Sequence, residues 1–405
     1  MQLTLGYLAA RVLLAVFFLP AYLGQDTYTV YGFLTRRFGP RARFLAAGLF
    51  FVTQVLGSGV RLYAAALVLA TVLDVASIGV AIVLIAVITI GYTWAGGISA
   101  VIWTDCIQAL IMVAGGVLAL VLLAGMFPEG AGAVLKTAAA EGKLRVLDFS
   151  PGLAGTYTFW SGLLGGAFLG MASHGTDQML AQRLLTCRTL RDGRKAIIGS
   201  ALIIIPQFLL FLVVGVLLYY YYLANPPLVP FDRTDRIFPH FIVHHFPPVA
   251  AGLVVAAMFG AAMSTLDSGI QALSASTVMD VVRPLTARRK RKRPSEYLGL
   301  SRVLVVFWGA VLVGVAFFAG NWGPVLETGL RVASYTYGPL LGLFMLGLFT
   351  RVKTRGAVTV AVAAGLTGVF LVVNFSPLAW TWYVLAGTLI TVSAGLAAEA
   401  LIHAD

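Results

Sequence analysis

The sequence predicts an all-α polytopic membrane protein, and three observations carry that prediction. Of the 405 residues, 60% are hydrophobic and only 11% are charged, and the mean hydropathy is +0.92. Soluble domains average about 45–50% apolar and about 25% charged residues, so a soluble globule could not cover this much apolar surface. The apolar runs are continuous over about 20 residues, the length of a spanning helix, whereas barrel strands would alternate over about 10 residues.

About eleven apolar runs are predicted to cross the lipid bilayer, and charged residues, Gly and Pro punctuate them. The second and seventh runs are long enough to tilt or to project beyond the bilayer. In chain order the runs cover roughly residues 3–23, 44–73, 77–97, 101–125, 157–182, 196–222, 248–282, 298–319, 329–349, 356–374 and 378–401.

The basic residues predict the orientation, because short cytoplasmic loops carry an excess of Lys and Arg. If the loop after the first run is cytoplasmic, such loops hold most of the 28 basic residues, including those within 36–43, 183–195, 283–302 and 351–355. This orientation predicts a multi-pass protein of the plasma or inner membrane with a cytoplasmic C-terminus. The net charge of +12 then reflects membrane topology, and we expect no nucleic-acid partner. The basic run at 288–293 could instead bind lipid or act as a localisation signal.

Two adjacent hydroxyl residues, Ser264 and Thr265, lie in the inner half of the seventh run. Ala261 precedes them by about one helical turn, so its carbonyl and the two hydroxyls could form an all-oxygen site for a small hard cation. The alternative is that each hydroxyl only binds the carbonyl four residues earlier.

Carboxylates mark two other runs. Asp105 lies near the cytoplasmic end of the fourth run, where it needs a cation or a hydrogen-bonded partner. The alternative is a structural role, as a cap or through a bond to a neighbouring helix. Asp177 follows a glycine-rich stretch over 162–170 in the fifth run. Glycines beside polar residues indicate an interrupted helix that exposes backbone groups to a cavity.

Arg61 lies near the middle of the second run, close to Gln54 and Ser58. An arginine at the bilayer centre costs roughly 2.5–3.5 kcal/mol on insertion scales, so it needs a partner. We expect no acidic residue of another run at the depth of Arg61 in the bilayer, which favours an anionic substrate as that partner. The alternative is that Arg61 binds backbone carbonyls of a broken helix.

Three histidines, His240, His244 and His245, cluster between the sixth and seventh runs. Two of them have the one-turn spacing of a zinc-binding pair. No Cys or carboxylate completes such a site, so the pattern favours a solvated loop.

Four motifs resemble the sodium:solute symporter family, which includes sodium–glucose, sodium–proline and sodium–iodide cotransporters. They occur in the family's order and the resemblance covers essentially the whole chain. The motifs are Gly91-Tyr92-Thr93-Trp94-Ala95-Gly96-Gly97 with Ala100 to Asp105, Gly175-Thr176-Asp177-Gln178 with Gln182-Arg183-Leu184, Ala262 to Ser268 with Met279-Asp280, and Tyr337 to Gly342 with Leu346 to Phe349.

The resemblance implies an inverted-repeat symporter fold with five-plus-five core helices, which rocks around a midplane site. It divides a single transporter domain, 1–405, into an incomplete first repeat (3–125), a second repeat (157–349) and additional C-terminal helices (356–401). It implies that Ala261, Ser264 and Thr265 bind sodium and that Asp105 supports sodium binding or release.

The resemblance and the polar residues together assign a substrate site. We expect Arg61, Gln54, Asp177 and Arg331 to contact the solute, since Arg331 aligns with a substrate-lining stretch of the family. The predicted function is sodium-coupled symport of a small organic solute, a small carboxylate anion, into the cell.

One departure from the family pattern is large. The family's first core helix, which supplies carbonyl ligands to the same sodium site, would precede residue 3. We therefore expect this chain to be a fragment with a misplaced start, or else a protein that does not bind sodium in the family's manner. The competing function is a sensor module that binds the solute without transporting it. A membrane enzyme is not expected, because no motif pairs catalytic groups.

Overall fold

The computed structural model describes residues 1–23, 29–72, 77–95, 98–228, 230–231, 234–286, 294–323 and 325–403, and all the regular secondary structure in these ranges is helical. Within these ranges it leaves out the side chains of residues 71–72, 95, 98–102, 104, 294–296, 325–327 and 330–331. The predicted all-α class is confirmed over the described residues.

Fifteen helices are named here in chain order. They are α1 (Gln2–Leu23), α2 (Tyr31–Phe38), α3 (Pro40–Val72), α4 (Ile78–Ala95), α5 (Ile98–Met126), α6 (Ala131–Ala140), α7 (Gly166–Met171), α8 (Gln178–Leu185), α9 (Leu190–Ala224), α10 (Ile237–His245), α11 (Pro248–Ser276), α12 (Pro294–Ala319), α13 (Val325–Phe349), α14 (Arg355–Phe375) and α15 (Tyr383–Ile402). Wider π-helical turns lie inside α1, on both sides of α7 and after α11.

Nine helices in the described part of the chain are long and apolar enough to cross a membrane. Two of the predicted runs differ from these nine. The run at 77–97 is the shorter apolar helix α4. The run at 157–182 is not continuous, because π-helical turns flank α7 and the backbone is extended at Asp177, with ψ of 121°.

The interruption between α7 and α8 is stabilised by two tyrosines. The Tyr22 hydroxyl donates to the Gly175 carbonyl at 2.7 Å, and the Tyr31 hydroxyl donates to the Thr176 carbonyl at 3.2 Å. Unpaired backbone groups in a low-dielectric interior cost several kcal/mol, so these bonds make the break tolerable. The expectation that the break exposes backbone to a cavity is therefore wrong for these carbonyls, since Gly175 and Thr176 are both buried.

A buried carboxylate, Asp280, connects the ends of neighbouring helices through hydrogen bonds and an ion pair. Asp280, which has no exposed surface, accepts from Arg43 Nε at 2.6 Å and from the hydroxyls of Thr29 and Ser276 at 2.9 and 2.6 Å. These contacts satisfy a carboxylate that would otherwise be costly to bury. The basic run at 288–293 lies outside the described residues.

Glycines allow the last spanning helices to approach closely. A Cβ atom on Gly338 of α13 would lie 2.9 Å from the Gly387 Cα atom of α15 and 3.1 Å from the Val384 carbonyl oxygen. Small residues at helix contacts are what membrane helices use in place of a hydrophobic driving force. This packing fixes the position of α13, which carries residues of the site described below.

The three histidines lie on a short helix, α10, rather than in a loop. His240 accepts or donates a hydrogen bond with the Tyr222 hydroxyl at 2.8 Å, His245 does so with Tyr221 at 3.2 Å, and the rings of His240 and His244 stack at 4.0 Å. Within the described residues, no group of three His, Cys, Asp or Glu side chains could hold a metal ion.

We expect Gly338→Ala to destabilise the fold by about 1–3 kcal/mol, because the added methyl group meets backbone atoms that have no room to move. Thermal unfolding of the purified protein in detergent measures this. Gly215→Ala is the matched control, since a Cβ at that helical position meets nothing within 4 Å. An unfolding temperature that is equal in the two variants would contradict this account of the packing.

We expect the α10 region to lose stability as the pH falls below about 6.5, the ordinary pKa of histidine. Burial, reinforced by neighbouring His244, lowers the pKa of His240 and of His245, so the folded state binds fewer protons than the unfolded state in that range. The double variant His240→Gln with His245→Gln should therefore show a smaller fall in unfolding temperature between pH 7.5 and 5.5. A fall in unfolding temperature that is as large in the double variant as in the wild type would contradict this origin of the acid sensitivity.

Candidate functional site

One face of α3 carries a line of polar side chains inside the helical bundle. Gln54, Ser58 and Arg61 are spaced by four and three residues, which places them above one another on a helix. Ser58 Oγ accepts from Gln54 Nε2 at 2.8 Å and from Arg61 Nη2 at 3.0 Å. Gln54 and Ser58 are buried, whereas Arg61 is exposed. Ser58 therefore orients the guanidinium while leaving most of its donors available.

Helix α11 presents polar groups, hydroxyls and one backbone carbonyl, on two faces. Ala261 and Thr265 form one pair at helical spacing, and the Thr265 hydroxyl donates to the Ala261 carbonyl at 2.8 Å. Ser264 and Ser268 form the other pair, about 100° around the helix. The three residues predicted to bind one sodium ion are thus divided between two neighbouring places in this structure.

The first place is a cavity of about 300 Å³ between α3 and α11. Arg61 contributes to its wall from α3, and Ala261 and Thr265 contribute from α11. The remaining wall is apolar and comprises Ala64, Ala65, Val68, Met258, Phe259 and Ala262. A cationic group and a pair of oxygen atoms therefore share one small, otherwise apolar space.

The second place is a closed polar network on the other face of α11. The Ser264 hydroxyl donates to Asp105 Oδ1. Arg183 Nη2 lies 3.1 Å from Asp105 Oδ2 and also donates to Ser268 Oγ at 3.0 Å. Asp105 is thus bound by a hydroxyl and a guanidinium, so it has both a hydrogen-bonded partner and a cation, as a carboxylate at this depth needs.

Close packing of α5 on α11 positions Asp105. A Cβ atom on Gly260 would lie 2.4 Å from Gln108 Nε2, and one on Gly115 would lie 2.6 Å from Val254 Cγ2. Since these glycines let the two helices approach, Asp105 on α5 reaches the hydroxyl of Ser264 on α11.

Asp177 lies at the break between α7 and α8 and is 2% exposed. Its Oδ1 accepts from the Met179 amide at 2.8 Å, which caps the N-terminus of α8. Its Oδ2 accepts from the Tyr337 hydroxyl of α13 at 2.7 Å. Both carboxylate oxygens thus have partners in this structure, and Asp177 is not among the residues that line the cavity.

Gln54 connects this break to the α3 face, because its Nε2 atom lies 3.2 Å from Met179 Sδ on α8. The structure therefore brings Gln54, Arg61 and Asp177 into one contiguous region through shared neighbours. The Arg331 side chain lies outside the described residues, so its predicted role stays a prediction.

Two residues of the site were not assigned roles by the sequence analysis. Arg183 belongs to the basic residues of a cytoplasmic loop and to a family motif, and Tyr337 belongs to another motif, but neither position predicts a contact in the site. A basic residue two turns beyond an interrupted helix is a signal that could have identified Arg183. No sequence signal pairs Tyr337 with Asp177, since 160 residues separate them.

Chemically, this arrangement suits the binding of ions. Hydroxyl and carbonyl oxygen atoms suit a hard cation. A guanidinium with free donors suits a carboxylate, which it can bind through two parallel hydrogen bonds.

Comparison with proteins of known function and structure identifies the relatives of the chain. The human sodium/iodide cotransporter is 30% identical over 89% of this chain and 56% of its own length, and the sodium-coupled monocarboxylate transporter 1 of Xenopus laevis is 30% identical over 87% of this chain and 57% of its own. The chain thus spans somewhat more than half the length of these curated relatives. They are transporters, not enzymes.

A solved structure of a sodium-coupled sialic acid symporter, in a substrate-bound outward-open state, superposes with a TM-score of 0.88. It is 26% identical in sequence, and the match covers 99% of this chain and 84% of that one. The model of the family described as "Sodium:solute symporter family" matches residues 1–368. The chain therefore belongs to the sodium:solute symporter family and is a multi-pass membrane protein.

Proposed function

We propose that this protein couples the downhill entry of sodium to the inward transport of a small organic anion, a carboxylate. The observation that carries the proposal is the shared cavity between α3 and α11. Arg61, the group suited to the carboxylate, and Ala261 and Thr265, the groups suited to sodium, line the same space of about 300 Å³. Relatives that are named as sodium-coupled monocarboxylate and sialic acid transporters support this choice of solute class.

The sodium ligands in this proposal are the Ala261 carbonyl and the Thr265 and Ser264 hydroxyls, with Asp105 in support. The Thr265 hydroxyl donates to the Ala261 carbonyl at 2.8 Å, which is the bond of the alternative interpretation, and the same two oxygens lie close enough together to bind one small cation. The Ser264 hydroxyl is held by Asp105, so it joins the ligand set only if that hydrogen bond rearranges.

Shared occupancy of one cavity also provides a reason for coupling. A sodium ion and a guanidinium in the same small apolar space repel each other unless an anion lies between them. A carboxylate bound to Arg61 neutralises that charge, so solute and sodium each favour the binding of the other.

The membrane supplies the driving force. Moving one elementary charge through 100 mV releases about 2.3 kcal/mol, which supports roughly fiftyfold accumulation of a solute when the complex carries one net positive charge. A carboxylate transported with one sodium ion forms a neutral complex, so net use of the potential requires more than one sodium ion per cycle. In this proposal the protein lies in the plasma or inner membrane with its C-terminus in the cytoplasm, as the basic loops indicate.

Replacing Ser264 and Thr265 together by Ala should abolish sodium stimulation of uptake. The double variant removes two of the few oxygen ligands, and a desolvated cation short of ligands does not bind. Uptake of radiolabelled carboxylate in sodium and in choline medium measures the effect, and surface labelling checks that insertion is intact. Full sodium dependence in the double variant would disprove the ligand assignment.

Arg61→Gln should raise the KM for a carboxylate substrate by about 10–100-fold, since hydrogen bonds to charged groups contribute about 1.5–3 kcal/mol each. Arg61→Lys keeps the charge but loses the planar pair of donors, so its KM should lie between that of the wild type and that of Arg61→Gln. Sodium binding should survive in both variants. Transport of a neutral sugar, or uptake unchanged by Arg61→Gln, would contradict a carboxylate substrate.

A further inference from the structure

Asp105 already carries a cation in this structure, the guanidinium of Arg183. The same guanidinium contacts Ser268, so Arg183 links α8 to both α5 and α11. With Ser264 on the other carboxylate oxygen, the network presents one carboxylate and two hydroxyls, and Arg183 binds two of these three groups. These are groups of the kind that a sodium ion would need.

We propose that Arg183 is a tethered cation that neutralises Asp105 while sodium is absent, and that sodium binding displaces it. The inference rests on the proposed sodium coupling and specifies how the ion site is regulated. Arg183 acts through Asp105 and is therefore a positioning residue rather than a ligand.

The charge balance around Asp105 argues for competition. One carboxylate can neutralise one monovalent cation, and two cations at contact distance from it repel each other. A second carboxylate, Asp267 of α11, is buried and accepts from Gln271 Nε2 at 2.6 Å. Because Gln271 is neutral, this hydrogen bond holds Asp267 without cancelling its charge, and the carboxylate in contact with Arg183 is Asp105. Sodium at Ser264 and Asp105 therefore favours release of Arg183, and Arg183 on Asp105 disfavours sodium.

The exposure of the pair makes the exchange feasible. The Arg183 side chain is 40% exposed and that of Asp105 is 24% exposed. Partly solvated ion pairs are weak, because water screens the attraction and solvates the charged groups when they separate. A more deeply buried pair, such as Arg43 with Asp280, whose side chains are 20% and 0% exposed, would be costlier to separate.

The exchange also has a consequence for the transport cycle. A symporter must return to its starting state without ion or solute, and an unpaired carboxylate inside the membrane would oppose that return. Arg183 removes this penalty in the empty protein. Since α8 begins at the helix break, release of Arg183 also loosens a contact between the interrupted helix and α11 when sodium is bound.

The test measures sodium affinity directly. Thermal unfolding of the purified protein is followed while NaCl replaces choline chloride at constant ionic strength, which yields the half-saturating sodium concentration. For Arg183→Gln, which can still bind Ser268 but carries no charge, we expect that concentration to fall by about tenfold, equivalent to about 1.4 kcal/mol. Arg183→Lys should stay close to the wild type, and Arg188→Gln, an exposed residue of the adjoining loop, is the matched control.

A second measurement separates the return step from binding. In proteoliposomes, Arg183→Gln should slow net uptake more than solute exchange with sodium and solute on both sides, because exchange bypasses the empty state. A structural role alone would lower both rates together.

Three outcomes would overturn the inference. A half-saturating sodium concentration in Arg183→Gln that is equal to or above that of the wild type would show that Arg183 does not compete with sodium. Equal losses of net uptake and exchange would show that it does not serve the empty state. If sodium fails to stabilise even the wild type, both this inference and the proposed function fail. If sodium stabilises the wild type but not the Ser264→Ala, Thr265→Ala double variant, the proposed function stands whatever the result for Arg183→Gln.

Discussion

The break between α7 and α8 is the constraint on which the rest of the site depends. A helix interrupted inside a membrane leaves backbone groups that water cannot satisfy. Here Tyr22 and Tyr31 bind the two carbonyls before the break, and Asp177 caps the helix after it. Tyr337 then holds the second oxygen of Asp177, so α13 is fixed to the same point.

The position of α8 follows from that break and sets two contacts of the site. Met179, in its first turn, reaches Gln54 on α3, and Arg183, one turn later, reaches Asp105 on α5. The interrupted helix thus contacts both the α3 face that carries Arg61 and the network around Ser264. A shift of α8 would change both regions together, which is how one element can couple two ligands.

Helix α11 divides the polar groups between these regions by its periodicity. Residues four apart share a face, so Ala261 pairs with Thr265 toward the cavity and Ser264 pairs with Ser268 toward Asp105. In the proposed function the cavity brings solute and ion together, and in the role proposed for Arg183 the network sets the charge beside them. The proposed function and the role proposed for Arg183 therefore depend on two faces of the same helix.

The sequence by itself determined that the chain is a helical membrane protein, because its apolar runs have the length of a bilayer and its charges fall between them. It also located Ser264, Thr265, Asp105 and Arg61 as polar groups that need partners, since burial of such groups in a membrane is costly. Only the tertiary structure decided which partner each has. Asp105 meets Arg183 and Asp177 meets Tyr337 across 78 and 160 residues of sequence, and pairings of that range depend on how the helices pack, which local pattern does not encode.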